Sequence, residues 1–199
     1  EIKGDSFLES YHYAIKKAEK ENLTFIHPFA DPLIIAGQGT IALELMEQVP
    51  DMDCIVAPIG GGGLISGLLI AIKEIRPRIK VIGVQAQGAA SMYISWKAGK
   101  IKSLKTIDTI AEGIAVKKTE KINLEIIKKY VDDIVLVEDD DICFAMKTLF
   151  DEYKVVGETA GVAALAAILR GKTGLKGQKI VSVITGGNLS RQQFIAHTK

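Results

Sequence analysis

The sequence predicts an α/β protein built on a doubly wound, mostly parallel sheet with helices on both faces. Three observations carry that prediction. The runs "DCIVAPI" (53–59) and "KVIGVQA" (80–86) are apolar without the alternation of a half-solvated strand, so burial on both faces is expected. Stretches with helical spacing of apolar residues separate the strands, as parallel crossovers require. Four consecutive glycines, in "PIGGGGLISG" (58–67), stand where one strand ends and a helix begins.

Taken in order, "DSFLESYHYAIKKAEKENL" reads as an amphipathic helix over residues 5–22, entered at Asp5 or Ser6. The two prolines of "HPFADPL" interrupt the periodicity, and Thr40 is expected to cap a short helix, "IALELMEQ". After the first strand, "LISGLLIAIKEI" is helical and Pro77 ends it. The second strand leads to a helix in "SMYISWKAG" that Gly99 can terminate. Residues 101–129 have weaker periodicity and read as an excursion over one end of the sheet. "DDIVLVE" is a strand, "DDDICFAMKTLFDEY" a helix with acids at its positive end, "AGVAALAAIL" a helix and "KIVSVIT" a last strand.

Composition excludes several classes. The chain has 199 residues, 48% hydrophobic and 25% charged, with a formal net charge of +1, the profile of a globular protein. Its basic residues are scattered singly and in pairs, so no nucleic-acid partner is expected. No apolar run approaches the roughly 20 residues of a spanning helix and the first ten residues lack a signal-peptide core, so no membrane partner is expected either. Cys54 and Cys143 sit apart inside apolar runs, consistent with thiols in a reducing cytoplasm and with no disulfide or metal spacing.

Four residues without Cβ let the backbone wrap an anion and turn several N–H groups inward at a positive helix end, which is what a phosphate needs. A nucleoside-triphosphate loop would carry Lys then Ser or Thr, and "GGGGLISG" has no lysine. No register of residues 60–67 gives G-x-G-x-x-G, and the next strand ends near Gln85 rather than an acid for a ribose. A smaller phosphate ester remains.

Five blocks in order, "HPFADPLIIAGQGT", "GGGGLISG", "TIAEGIAV", "ETAGVAALAA" and "TGGN", resemble the threonine dehydratase and serine racemase family of pyridoxal-phosphate enzymes. The resemblance covers nearly all of residues 1–190 and implies the fold of the tryptophan synthase β subunit. It implies pyridoxal 5'-phosphate as cofactor, held at its phosphate by the N–H groups of Gly60, Gly61, Gly62, Gly63 and Leu64. It sets the Thr185 hydroxyl against the pyridine nitrogen, and Gly113, Gly186 and Gly187 close to the ring. For Glu158 two readings stay open, a glutamate beside the site and an acid capping the following helix. Gln38 is expected to be structural and His27 to pack a domain junction.

By the same resemblance the expected activity is β-elimination and deamination of L-threonine, and of L-serine, to a 2-oxo acid and ammonia, in a cytoplasmic homo-oligomer. Serine racemase, serine dehydratase and a non-enzymatic phosphometabolite-binding module are the alternatives. Gln85 and Ser91 stand where the racemases place metal-binding carboxylates, so no metal site is expected. Ala30 replaces the family's usual aspartate. No S-F-K-x-R-G block occurs, so the family's Schiff-base lysine is absent and no catalytic residue is expected in this chain. The chain thus reads as the C-terminal part of such an enzyme. Residues 1–29 would be the end of the small domain with a crossover helix, and residues 30–199 part of the large cofactor-binding domain.

Overall fold

The computed structural model describes residues 1–4 and 7–199, and its four strands form one sheet in the order β3-β2-β1-β4. The strands are β1 (Cys54–Pro58), β2 (Lys80–Ala86), β3 (Asp133–Val137) and β4 (Ile180–Ser182). All three pairings are parallel, with Val56 opposite both Ile82 and Ser182. Every residue of β1 is buried, and in β2 only Lys80 reaches solvent. That is why neither strand alternates in sequence: both faces are covered.

The helices are α1 (Phe7–Glu21), α2 (Pro32–Gln48), α3 (Gly63–Ile75), α4 (Ser91–Ala98), α5 (Lys121–Tyr130), α6 (Asp139–Tyr153), α7 (Ala163–Leu169) and α8 (Arg191–His197). Cys54, Val56, Ile82 and Val84 point to one face and pack with Ile142, Met146, Val162 and Ala166 of the α6–α7 region. Ile55, Ala57 and Val81 point to the other and pack with Ala42 of α2, Leu68 and Ile72 of α3, and Leu124 and Ile127 of α5. Full burial of each valine, leucine, isoleucine or methionine among them contributes about 1.5–3 kcal/mol. Cys54 is fully buried and Cys143 half-buried. Among the described residues no helix is long and apolar enough to cross a membrane.

Several expectations are corrected. The cap expected at Asp5 or Ser6 lies outside the described residues. Thr40 caps nothing: it lies inside α2, where its hydroxyl donates to the Gly37 carbonyl at 2.8 Å. The helix starts nine residues earlier because Asp31 accepts the Leu33 N–H at 2.8 Å and Pro32 takes the first helical position, where a missing N–H costs nothing. The glycines inside α2 hid the helix, and Gly39 is there because α2 and α3 touch backbone to backbone. A Cβ on Gly67 of α3 would fall 2.4 Å from the Ile35 carbonyl oxygen.

The stretch read as an irregular excursion contains α5, which packs on α3. The last strand is shorter than expected, although the Val183 N–H still donates to the Val56 carbonyl at 3.0 Å. The helix α8, which the sequence reading lacked, is closed by a capping box between Ser190 and Gln193. α6 has its own box, with Asp141 accepting the Glu138 N–H at 3.0 Å.

Candidate functional site

The strand order dictates where a ligand can sit. From β1 the chain moves through β2 to β3 on one side, while β4 joins β1 on the other, so the crevice at the carboxyl ends of β1 and β4 is the switch point of the sheet. A cavity of about 560 Å³ opens there, a size suited to a small ligand. Its walls include Phe29, Gln38, Gly60 to Leu64, Gly113, Glu158, Ala160 and Thr185. Residues scattered over more than 150 positions of sequence thus meet at one place.

The loop after β1 is shaped by what glycine lacks. Gly62 has φ +102°, and Cβ atoms on Gly61 and Gly63 would lie 2.5 Å and 3.0 Å from Phe29. Gly60 lies against Gly113 and Ile114, so the "TIAEGIAV" block closes over the loop. α3 starts at Gly63, and its first N–H groups have no helical partner. Among the described residues, the N–H groups of Gly60 to Leu64 make no other backbone hydrogen bond. A set of unengaged donors at the positive end of a 13-residue helix, on a cavity wall, could hold an anion.

Thr185 stands across the cavity, two residues past its strand's last ladder bond, and its hydroxyl has no hydrogen-bond partner among the described residues. The Thr185 carbonyl is seated against Gly161, where a Cβ would come within 1.6 Å of the oxygen. The Gly113 segment is pinned from below: Asp139 accepts from the Thr109 hydroxyl at 2.6 Å and the Ile110 N–H at 3.0 Å, and Thr159 donates to the Ile110 carbonyl at 2.9 Å.

Glu158 is not a helix cap, because α7 begins at Ala163 with Val162 in the cap position. Its carboxylate accepts the Asn188 N–H at 2.7 Å and lies on the wall of this cavity and of a neighbouring one of about 320 Å³. Gly186, at φ +75°, leaves room for that carboxylate: a Cβ there would fall 2.2 Å from its carboxyl carbon. Gly186 and Gly187 are not among the residues lining the main cavity, and a Cβ on Gly187 would meet no protein atom within 4 Å. Gln38, expected to be structural, lines the cavity from α2. Phe29 was missed as a wall residue, and nothing in its surrounding sequence marks it as one.

His27 points elsewhere. Its Nδ1 accepts the N–H groups of Phe29 and Ala30 at 3.3 and 3.0 Å, and its ring meets Tyr11, Phe25 and Phe29 edge-on. Burial pushes its pKa below the usual value, against the pull of Glu120 and Asp31. Gln85 is fully buried, and its Oε1 accepts the Tyr93 N–H at 2.8 Å. Among the described residues no group of His, Cys, Asp or Glu could hold a metal ion, and no lysine or arginine lines the main cavity. A phosphate ester fits these walls by main-chain donors alone, in a cradle that side chains on the glycines would fill.

A parallel sheet whose switch-point cavity is walled by unengaged main-chain donors and by Thr185 fits the class of proteins that bind a small phosphorylated cofactor. The chain belongs to the pyridoxal-phosphate dependent enzyme family, whose model matches residues 1–186. It is 46% identical over 188 residues to an L-threonine ammonia-lyase of Thermotoga maritima, an alignment that takes in 94% of this chain and 47% of the relative. In solved structures it superposes on the processed form of threonine deaminase isoform 2 from Solanum lycopersicum with a TM-score of 0.93 and 36% identity, covering 100% of this chain and 55% of that one. It is also similar to maize serine racemase, with a TM-score of 0.90 and 36% identity over 98% of this chain and 61% of that one. The chain therefore spans about half the length of the relatives it matches.

Proposed function

We propose that this chain forms the cofactor-holding part of an ammonia-lyase that converts L-threonine, and L-serine, to a 2-oxo acid and ammonia. The observation that carries the reading is the cavity at the β1–β4 switch point, whose walls include both the loop Gly60 to Leu64, with its unengaged backbone donors, and Thr185. Identity to the Thermotoga maritima ammonia-lyase supports the reaction class. Residues 1–29 would end the small domain and residues 30–199 belong to the large cofactor domain of a cytoplasmic homo-oligomer.

Each residue has a distinct task in this proposal. The N–H groups of Gly60, Gly61, Gly62, Gly63 and Leu64 bind the phosphate, aided by the positive end of α3. Thr185 Oγ1 hydrogen-bonds the pyridine nitrogen, and a neutral hydroxyl does not hold a proton there as a carboxylate would. Gly113 gives the ring room. Glu158 holds the turn through Gly186 in place by its bond to the Asn188 N–H. When bound, pyridoxal phosphate supplies the electron sink for removal of the α-proton and loss of the β-hydroxyl. Among the described residues no lysine lines the cavity, so its walls do not supply the lysine that would take that proton.

Racemisation of serine is the rival reading, favoured by the likeness to maize serine racemase. Expressing the whole reading frame that contains this chain, and assaying 2-oxobutyrate from L-threonine, pyruvate from L-serine and D-serine from L-serine, separates the two. We expect 2-oxobutyrate release to be fastest. Thr185→Ala should lower kcat about tenfold, the worth of one hydrogen bond at the ring, with cofactor content retained. D-serine formation outpacing both eliminations would overturn the lyase assignment.

A further inference from the structure

We propose that Thr119 and Asn123 are positioning residues that latch the glycine loop in its anion-binding shape; the proposal rests on the reading of that loop as a phosphate cradle. Both residues are fully buried and polar, and neither lines the cavity. The Thr119 hydroxyl donates to the Gly61 carbonyl at 3.0 Å, across 58 positions of sequence. Asn123 Nδ2 donates to the Phe29 carbonyl at 2.9 Å and to Ser66 Oγ, in the first turn of α3, at 3.3 Å.

The Thr119 bond fixes more than a carbonyl. In a planar trans peptide the C=O of Gly61 and the N–H of Gly62 point in opposite directions, so tying the oxygen to Thr119 turns the Gly62 N–H away from Thr119. A peptide between two glycines otherwise rotates at little cost, and a flip would present an oxygen to the anion in place of a donor. Asn123 works on the same loop from beneath. An added Cβ on Gly62 would lie 3.1 Å from the Asn123 Cβ, so the side chain forms the floor of the turn. By holding Phe29 it also keeps that residue against Gly61 and Gly63. The amide does this at a cost, since Asn123 Oδ1 is buried with no partner among the described residues. An apolar side chain would avoid that orphan, which argues that the two donated bonds are what the position requires.

The test titrates inorganic phosphate into this chain and follows the amide resonances of residues 60–64 by 15N NMR. Thr119→Val keeps the shape and removes the donor, Asn123→Leu removes the two bonds that Nδ2 donates, and Thr119→Ser restores the hydroxyl. We expect the valine and leucine variants to raise the phosphate Kd about three- to tenfold each, the worth of a net hydrogen bond. The Gly62 amide should lose its phosphate-induced shift in Thr119→Val and recover it in Thr119→Ser, a pattern that general loosening of the fold would not give. Wild-type affinity in both Thr119→Val and Asn123→Leu would overturn the latch while leaving the cradle. Failure of the wild-type chain to shift any of these amides would overturn the cradle, and the latch with it.

Discussion

Replacing Gly161 by alanine drives a methyl group into the backbone that carries Thr185. The added Cβ would lie 1.6 Å from the Thr185 carbonyl oxygen and 2.7 Å from its carbon, so the strand end must retreat by roughly 1.8 Å to reach ordinary contact at 3.4 Å. That retreat pulls on the bond from the Val183 N–H to the Val56 carbonyl, which anchors β4 to β1. Overpacking costs about 1–3 kcal/mol and a strained ladder bond about 1 kcal/mol, which together give an expected loss of about 3 kcal/mol. For a chain of this length the melting temperature should fall by roughly 6–12 °C. Thermal melts followed by circular dichroism read this directly, with Gly187→Ala as the control, because a Cβ there meets nothing within 4 Å. If Gly161→Ala melts within about 2 °C of wild type, or no lower than the control, the close approach is not what fixes Thr185.

The Cys54 thiol, wholly buried, is pushed up to about 11, chiefly by desolvation, whereas the unfolded thiol titrates near 9.0. Above the unfolded value the unfolded chain binds fewer protons, so the contribution present at neutral pH is lost as pH rises towards the folded value, about 2–3 kcal/mol in all. Urea melts at about pH 8 and about pH 10.5 should show a steeper alkaline loss in wild type than in Cys54→Ala, and equal slopes would refute the assignment. Asp31→Ala removes the cap of α2 and should cost about 1 kcal/mol, or roughly 2–4 °C of melting temperature, with Asp31→Ser close to wild type. An unchanged melting temperature in Asp31→Ala would mean that Pro32 alone sets the helix start.

The sheet and its glycine loop were legible because their signals are local. Unalternating apolar runs announce strands covered on both faces, and four adjacent glycines between a strand and a helix announce a close approach of backbone to something. The start of α2 was not legible, because Pro32 and Gly39 read as breakers to any rule that sees only neighbours, while the reason for Gly39 lies across the helix pair at Gly67. The helix α5 escaped for a related reason: its buried face is Asn123, Leu124 and Ile127, and the asparagine breaks the apolar pattern at the position that faces the loop. Phe29 and Gln38 line the cavity through tertiary packing alone. Gly186 reads from sequence only by the family resemblance, while the structure adds a reason of its own for the glycine, the room it leaves for Glu158.

The cradle at residues 60–64 also has a consequence for how its gene can drift. Its donors are main-chain atoms that no substitution other than proline can delete, so a change of a neighbouring side chain can shift these donors but cannot remove one. The vulnerability lies in the opposite direction. Every missense change in a glycine codon adds atoms, and at Gly61 and Gly63 the first of those atoms already meets Phe29. A change at Phe29 could empty the space that a new carbon needs at Gly61 and Gly63, whereas at Gly60 the carbon would meet Ile114 and at Gly62, already at φ +102°, it would meet Met92 and Asn123.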